Sequence, residues 1–157
     1  MEREVLYMKL AEALMERKNL ENDINGLNER ISEEAITQKD YEVLDDLNLE
    51  FEKHIEQYDK YEEIVNKINE ANSRVYDGVT NLELLNKRKV LSKKYRDVKE
   101  IYLASKKPLK QEIYGDKIIE KKLNIDKMIL KKELNKICKE ARELEVKIQS
   151  RNWTIEI

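Results

Sequence analysis

Only three glycines and one proline interrupt the 157 residues of this chain, and Gly26, Gly78 and Gly115 stand far apart. That scarcity limits the fold more than any other feature. A β-sandwich or barrel turns every ten residues or so, and those turns draw on Gly and Pro. A phosphate-binding loop needs clustered glycines. With charged residues at 41% and aromatics at 6%, the composition is that of long helices. The length suits one domain.

Helical spacing runs through the chain. Leu6, Leu10, Ala13, Arg17, Leu20, Ile24, Leu27 and Ile31 alternate steps of four and three, an a/d seam that predicts a helix over about 3–34. Asp40 is a fitting N-cap for a second helix over about 40–72, with Leu44, Leu47, Phe51, Ile55, Tyr58, Val65 and Ile68 as its stripe and Glu62 on the same face. So short a link predicts an antiparallel hairpin. Asp77-Gly78 marks a turn. Thr80 and Glu83 then spell a capping box, with Val79 and Leu84 at the staple positions. The third helix, over about 81–106, shows Leu84, Arg88, Leu91, Tyr95, Val98 and Tyr102 and stops ahead of Pro108. Residues 108–123 lose the helical period and read as a short irregular or β-hairpin insert with a Gly115-Asp116 turn. Leu130, Leu134, Ile137, Ala141, Leu144 and Ile148 define a fourth helix over about 125–150, opened by Asn124 or Asp126. The tail 151–157 alternates apolar and polar, as an extended segment does. The fold class is therefore all-α: four helices in long antiparallel coiled-coil-like hairpins, as a single elongated domain over 1–157.

Each stripe is narrow, two positions in seven, where a helix of a globular bundle shows about three. Such seams leave one chain short of core. Association of the chain with itself is the expected remedy, with Tyr7, Tyr41, Tyr61 and Trp153 as subunit contacts because Tyr and Trp are enriched at interfaces.

Net charge is −2, but it is split. Residues 1–78 hold 10 basic and 21 acidic residues, a net of −11, and the remainder nets +9. Acidic helices are expected beside basic ones, within the chain or across a subunit boundary. The basic half also raises a nucleic-acid reading. Glutamates interspersed among its lysines and the lack of an aromatic stacking row argue against it. No run approaches the ~18 apolar residues of a membrane span, and a lysine-flanked interfacial helix would need a wider apolar face. The charged start, Met1-Glu2-Arg3-Glu4, and the single cysteine, Cys138, lead to the expectation of a cytoplasmic protein.

Catalytic constellations are not in evidence. His54 is the only histidine, which leaves no Glu-x-x-His pair for a di-iron bundle and no Ser-His or Cys-His nucleophile pair beyond His54 itself. No catalytic residue, metal or cofactor is expected. Cys138, next to Ile137, reads as a small hydrophobe beside the seam. Arg17 and Arg88 interrupt apolar seams and read as a register-fixing polar layer. The functional alternative gathers Asn69, Asn72, Arg74, Asp77 and Arg88 into a polar cluster for an anion or partner at the hairpin end.

The stretch from Met8 to Lys18, MKLAEALMERK, resembles the opening of the septicolysin-like family of small bacterial proteins. Ile68-Asn69-Glu70-Ala71-Asn72, Asn86-Lys87-Arg88-Lys89-Val90-Leu91 and the ending from Ile148 to Ile157 agree with it. Where that family typically carries a threonine between the two asparagines, this chain has Glu70 and Ala71. The resemblance implies an all-helical, largely extended fold without established enzymatic activity. Its name implies a membrane-acting, cytolysin-like alternative. The reading of the residues is a non-enzymatic helical homo-oligomer acting through its surfaces, with a membrane-acting protein or a nucleic-acid binder as alternatives.

Overall fold

The computed structural model describes residues 7–157. Four helices carry the chain: α1 (Leu10–Glu34), α2 (Leu47–Ser73), α3 (Asn81–Ser105) and α4 (Lys127–Thr154). Between them sit two two-stranded antiparallel hairpins, β1 (Val75–Tyr76) with β2 (Val79–Thr80) and β3 (Glu112–Tyr114) with β4 (Lys117–Ile119). The all-α class and the hairpin insert at Gly115-Asp116 are as the sequence indicates. Leu6, read as the first seam residue, and the start of the first helix at residue 3 lie outside the described residues. The chain divides into two units, residues 7–81 with 150–157, and residues 82–149.

The core of the first unit gathers Leu10 and Ala13 of α1, Ile64, Ile68 and Ala71 of α2, and Ile155 beyond α4. Met8 and Lys9 are not helical, because they pair with the chain's end. Met8 and Ile157 exchange backbone hydrogen bonds at 3.3 and 2.9 Å, and the Leu10 N–H donates to the Ile155 carbonyl at 2.9 Å. Glu12 closes the helix start by accepting from the Lys9 backbone N–H at 2.7 Å.

The second helix departs from expectation in two ways. It begins seven residues later than residue 40, because Asp46 rather than Asp40 supplies the cap, accepting from the Asn48 and Leu49 N–H groups at 3.0 and 3.4 Å. Its buried face is also a different one. Ile64, Ile68 and Ala71 are held by three segments, and a helix carries its phase rigidly toward its start. That phase turns His54 into the seam, with Leu47, Glu50, Gln57 and Tyr61 half-buried on the same stripe. Phe51, Ile55 and Tyr58 stay about half exposed, Glu62 is exposed, and Leu44, outside the helix, is 93% exposed.

The outer half of the α1–α2 contact is therefore polar. Tyr61 Oη donates to Glu21 Oε1 at 3.0 Å, and Arg30 pairs with Asp45 and, at 3.3 Å, with Glu50. His54 Nδ1 and Gln57 Oε1 are buried there without a hydrogen-bond partner, and the His54 ring meets Tyr58 edge-on at 5.3 Å.

In the second unit, Leu84 and Leu91 of α3 and Leu130, Ile137, Leu144 and Ile148 of α4 are buried. Thr80 stands at the N-cap position of α3, with Val79 half-buried and Leu84 buried as a staple requires. Asp126 Oδ1 accepts from the Met128 N–H at 2.7 Å and opens α4. Two seam residues of α4 are less covered than their spacing suggests: Leu134 is half-buried and Ala141 is exposed. The helix also runs on to Thr154 rather than ending near residue 150, since Arg151 and Ile155 continue the seam beyond Ile148.

Ile68→Ala should lower stability by about 2–5 kcal/mol in urea denaturation, as deletion of a buried side chain does. Leu44→Ala should stay within about 0.5 kcal/mol of the parent. Equal losses at both positions would contradict this packing.

Candidate functional site

The most connected polar centre of the first unit forms around Arg151. The Asp77-Gly78 turn, with φ of 50° and 76° at its two residues, folds β1 onto β2 and turns backbone carbonyls toward the last turn of α4. Arg151 Nη1 donates to the Val79 carbonyl at 3.0 Å and to Asn81 Oδ1 at 3.1 Å. Its Nη2 donates to the Tyr76 carbonyl, and its guanidinium carbon lies 5.8 Å from the Tyr76 ring centroid. Asn81 Nδ2 passes the network on to Asn72 Oδ1 at 3.4 Å. Arg151 and Asn81 are 6% and 5% exposed. The acceptors are neutral oxygens of the same unit, so the guanidinium locks turn to helix instead of presenting its donors to a ligand.

Of the five residues in the polar cluster read from sequence, Asn72 belongs to this centre. Asp77 forms its turn, and the Asn69 carbonyl accepts from Ser73 Oγ at 2.8 Å. Arg74 pairs with Glu70 along α2, and Arg88 with Glu145 at 3.5 Å in the second unit. Arg17 is half-buried and lies 3.8 Å from Glu21. Arg17 and Arg88 thus hold ion pairs rather than fully buried seam positions. Tyr7, Tyr41 and Trp153 are exposed, whereas Tyr61 is half-buried and bonded to Glu21. Arg151 and Asn81 are missing from the sequence reading. A signal existed: Arg151 is the next three-step after Ile148 on the α4 seam, and a charge at such a position needs a partner.

The second unit offers a groove of about 610 Å³ between α3 and α4. Leu91, Ile137 and Ala141 supply apolar lining, half-buried Cys138 stands among them, and Arg88, Arg142 and Glu145 are charged at its walls. Ala141 is exposed because it faces this opening. Lys94 and Glu133 pair at 2.5 Å and, with Arg88 and Glu145, tie the two helices together. The hydrogen bond from Lys94 holds the Glu133 carboxyl below the usual carboxylate range. Gln149, and beyond it Arg88, does the same for Glu145. Among the described residues, no group of three or more His, Cys, Asp or Glu side chains is placed to hold a metal ion. No helix among them is long and apolar enough to cross a membrane.

Two outcomes follow. Arg151→Met strips partners from two carbonyls and Asn81, and should cost about 3 kcal/mol in urea denaturation; a loss under about 1 kcal/mol would show that the network is not holding the turn. Carboxylates held below their unfolded values stabilise above those values and lose the effect as pH falls through the folded ones. Thermal melts should thus be level down to about pH 5 and decline below it. Glu133→Gln should flatten that acid limb, by a small amount because solvent reaches both members of the pair.

Against known proteins, residues 17–157 match the model of a family of unknown function, DUF6847, and the chain belongs to that family. A functionally unknown conserved protein from Corynebacterium diphtheriae, known from a crystal structure, is similar over 96% of this chain and 99% of its own. The two share 25% sequence identity with a TM-score of 0.81. No curated protein matches.

Proposed function

We propose that this DUF6847 member is a non-enzymatic, helical homo-oligomer that acts through its surfaces. One observation carries the reading. Among the described residues, 26 large apolar side chains are exposed while 14 apolar residues form the buried core. Scattered exposed apolar residues are ordinary, but contiguous ones mark interfaces. Here they are contiguous along α2 at Phe51, Ile55 and Tyr58 and across the β3–β4 hairpin. Tyr7, Tyr41 and Trp153, all exposed, extend the list of contacts. The opposite charges of the two halves of the chain supply complementary surfaces for recognition between copies.

The resemblance of residues 8–18 and 148–157 to septicolysin-like proteins accords with a helical protein without enzymatic activity. It also keeps the membrane-acting alternative in view, which liposome leakage tests. For the nucleic-acid alternative, Arg88 and Lys94 are engaged with glutamates, which weakens the basic face. The single cysteine suits a cytoplasmic location.

Light scattering at micromolar concentration should return a multiple of 18.8 kDa, with no leakage from liposomes and no salt-sensitive retention on DNA or RNA. The mass of one chain, with a melt independent of concentration, would overturn the reading.

A further inference from the structure

The densest open apolar run among the described residues lies in and around the second hairpin. Leu109, Ile113, Tyr114, Ile118, Ile119 and Leu123 are 41–76% exposed. All six strand residues of β3 and β4 are exposed. A two-stranded hairpin is marginal in water unless a further strand or a packed face supports it. This one also keeps two open edges, and open edges invite pairing with another chain.

The register says which edge is suited to that. Glu112 pairs with Ile119, Ile113 with Ile118 and Tyr114 with Lys117, around the two-residue Gly115-Asp116 loop. The pair flanking such a loop exchanges both hydrogen bonds, and the pattern then alternates along the ladder. Tyr114 and Glu112 therefore spend their backbone groups inward, on β4. The N–H and C=O of Ile113 point out from the free edge of β3.

We propose that β3 pairs antiparallel with β3 of a second copy about a two-fold axis at Ile113, giving one four-stranded sheet. The proposal rests on the homo-oligomeric reading and names its surface. A two-fold requires one residue to stand opposite itself, and the facing residues select which. With Ile113 opposite the partner's Ile113, Tyr114 faces the partner's Glu112, so apolar meets apolar and a hydroxyl meets a carboxylate. Centring on Glu112 would set it against the partner's Glu112. Centring on Tyr114 would set Ile113 against the partner's Gly115, in the loop and outside the strand. On the other edge, centring on Ile118 would set Lys117 against the partner's Ile119, a charge against an apolar side chain. The Ile113 register avoids all of these. It also aligns Ile118 and Ile113 with their counterparts as one apolar row on one face, since directly opposed residues share a face.

Cysteine cross-linking tests this in full-length protein carrying Cys138→Ser. In the proposed sheet, residues 113 of the two copies have Cα atoms about 5.5 Å apart, whereas residues 118 are three strand spacings, about 14 Å, apart. Ile113→Cys should form a covalent dimer with a short bis-maleimide at least ten times faster than Ile118→Cys. Equal rates, or a faster reaction at 118, would overturn the proposal. Light scattering on the same samples separates the two claims: an oligomeric mass without the 113 link sinks only this surface, while a single-chain mass without it sinks both. A hairpin that engages a lipid surface or a foreign strand would leave Ile113→Cys uncoupled, which also overturns it. Ile113→Pro removes the outward N–H together with the isoleucine side chain of the apolar row, and proline suits an edge strand. With helix content unchanged in circular dichroism, it should raise the dissociation constant at least ten-fold, and an unchanged constant would count against the pairing.

Discussion

Everything in this structure answers to the narrowness of its apolar stripes. A helix with two apolar positions in seven can cover one neighbour along one seam and no more. The first unit meets that limit by concentrating its apolar residues. Leu10, Ala13, Ile64, Ile68, Ala71 and Ile155 form a core from three segments distant in sequence. Elsewhere the same helices run on with polar contacts, Tyr61 to Glu21 and Arg30 to Glu50 among them. Those half-buried polar contacts fix the register of the outer seam.

The return of the C-terminus makes that core possible. Ile155 reaches it only because Arg151 fixes the last turn of α4 against the β1–β2 turn, and because Met8 and Ile157 close a short ladder of backbone hydrogen bonds. Burying a guanidinium is costly unless its donors find acceptors. The tight Asp77-Gly78 turn supplies them at Tyr76 and Val79. A glycine at 78, where φ is positive, is what lets the chain turn that sharply.

Heptad spacing and turn chemistry make the four helices, the start of α3 after Thr80 and the Gly115-Asp116 hairpin legible in the sequence. The phase of α2 was not legible, because its sequence carries two competing stripes. Phe51, Ile55 and Tyr58 are the more apolar, but Ile64, Ile68 and Ala71 are the ones held by α1 and the C-terminus, and a rigid helix cannot serve both phases toward α1. Local propensity likewise favoured Asp40 as a cap, and Asp46 holds that place. The polar cluster was legible only at Asn72 and Asp77. Its centre, Arg151, was hidden in what read as an extended tail.

What remains is apolar surface left open within each unit: the outward stripe of α2 in the first, and in the second the groove beside Cys138 and the β3–β4 hairpin with the Ile113 backbone turned out from its edge. A second copy of the chain presents the same surfaces, and β3 meets itself about Ile113 without opposing like charges. Hydrogen exchange read at the Ile113 amide over a range of protein concentrations tests this most directly. The account predicts slow exchange at high concentration that speeds on dilution, in step with loss of the oligomer. Exchange equally fast at every concentration would contradict it.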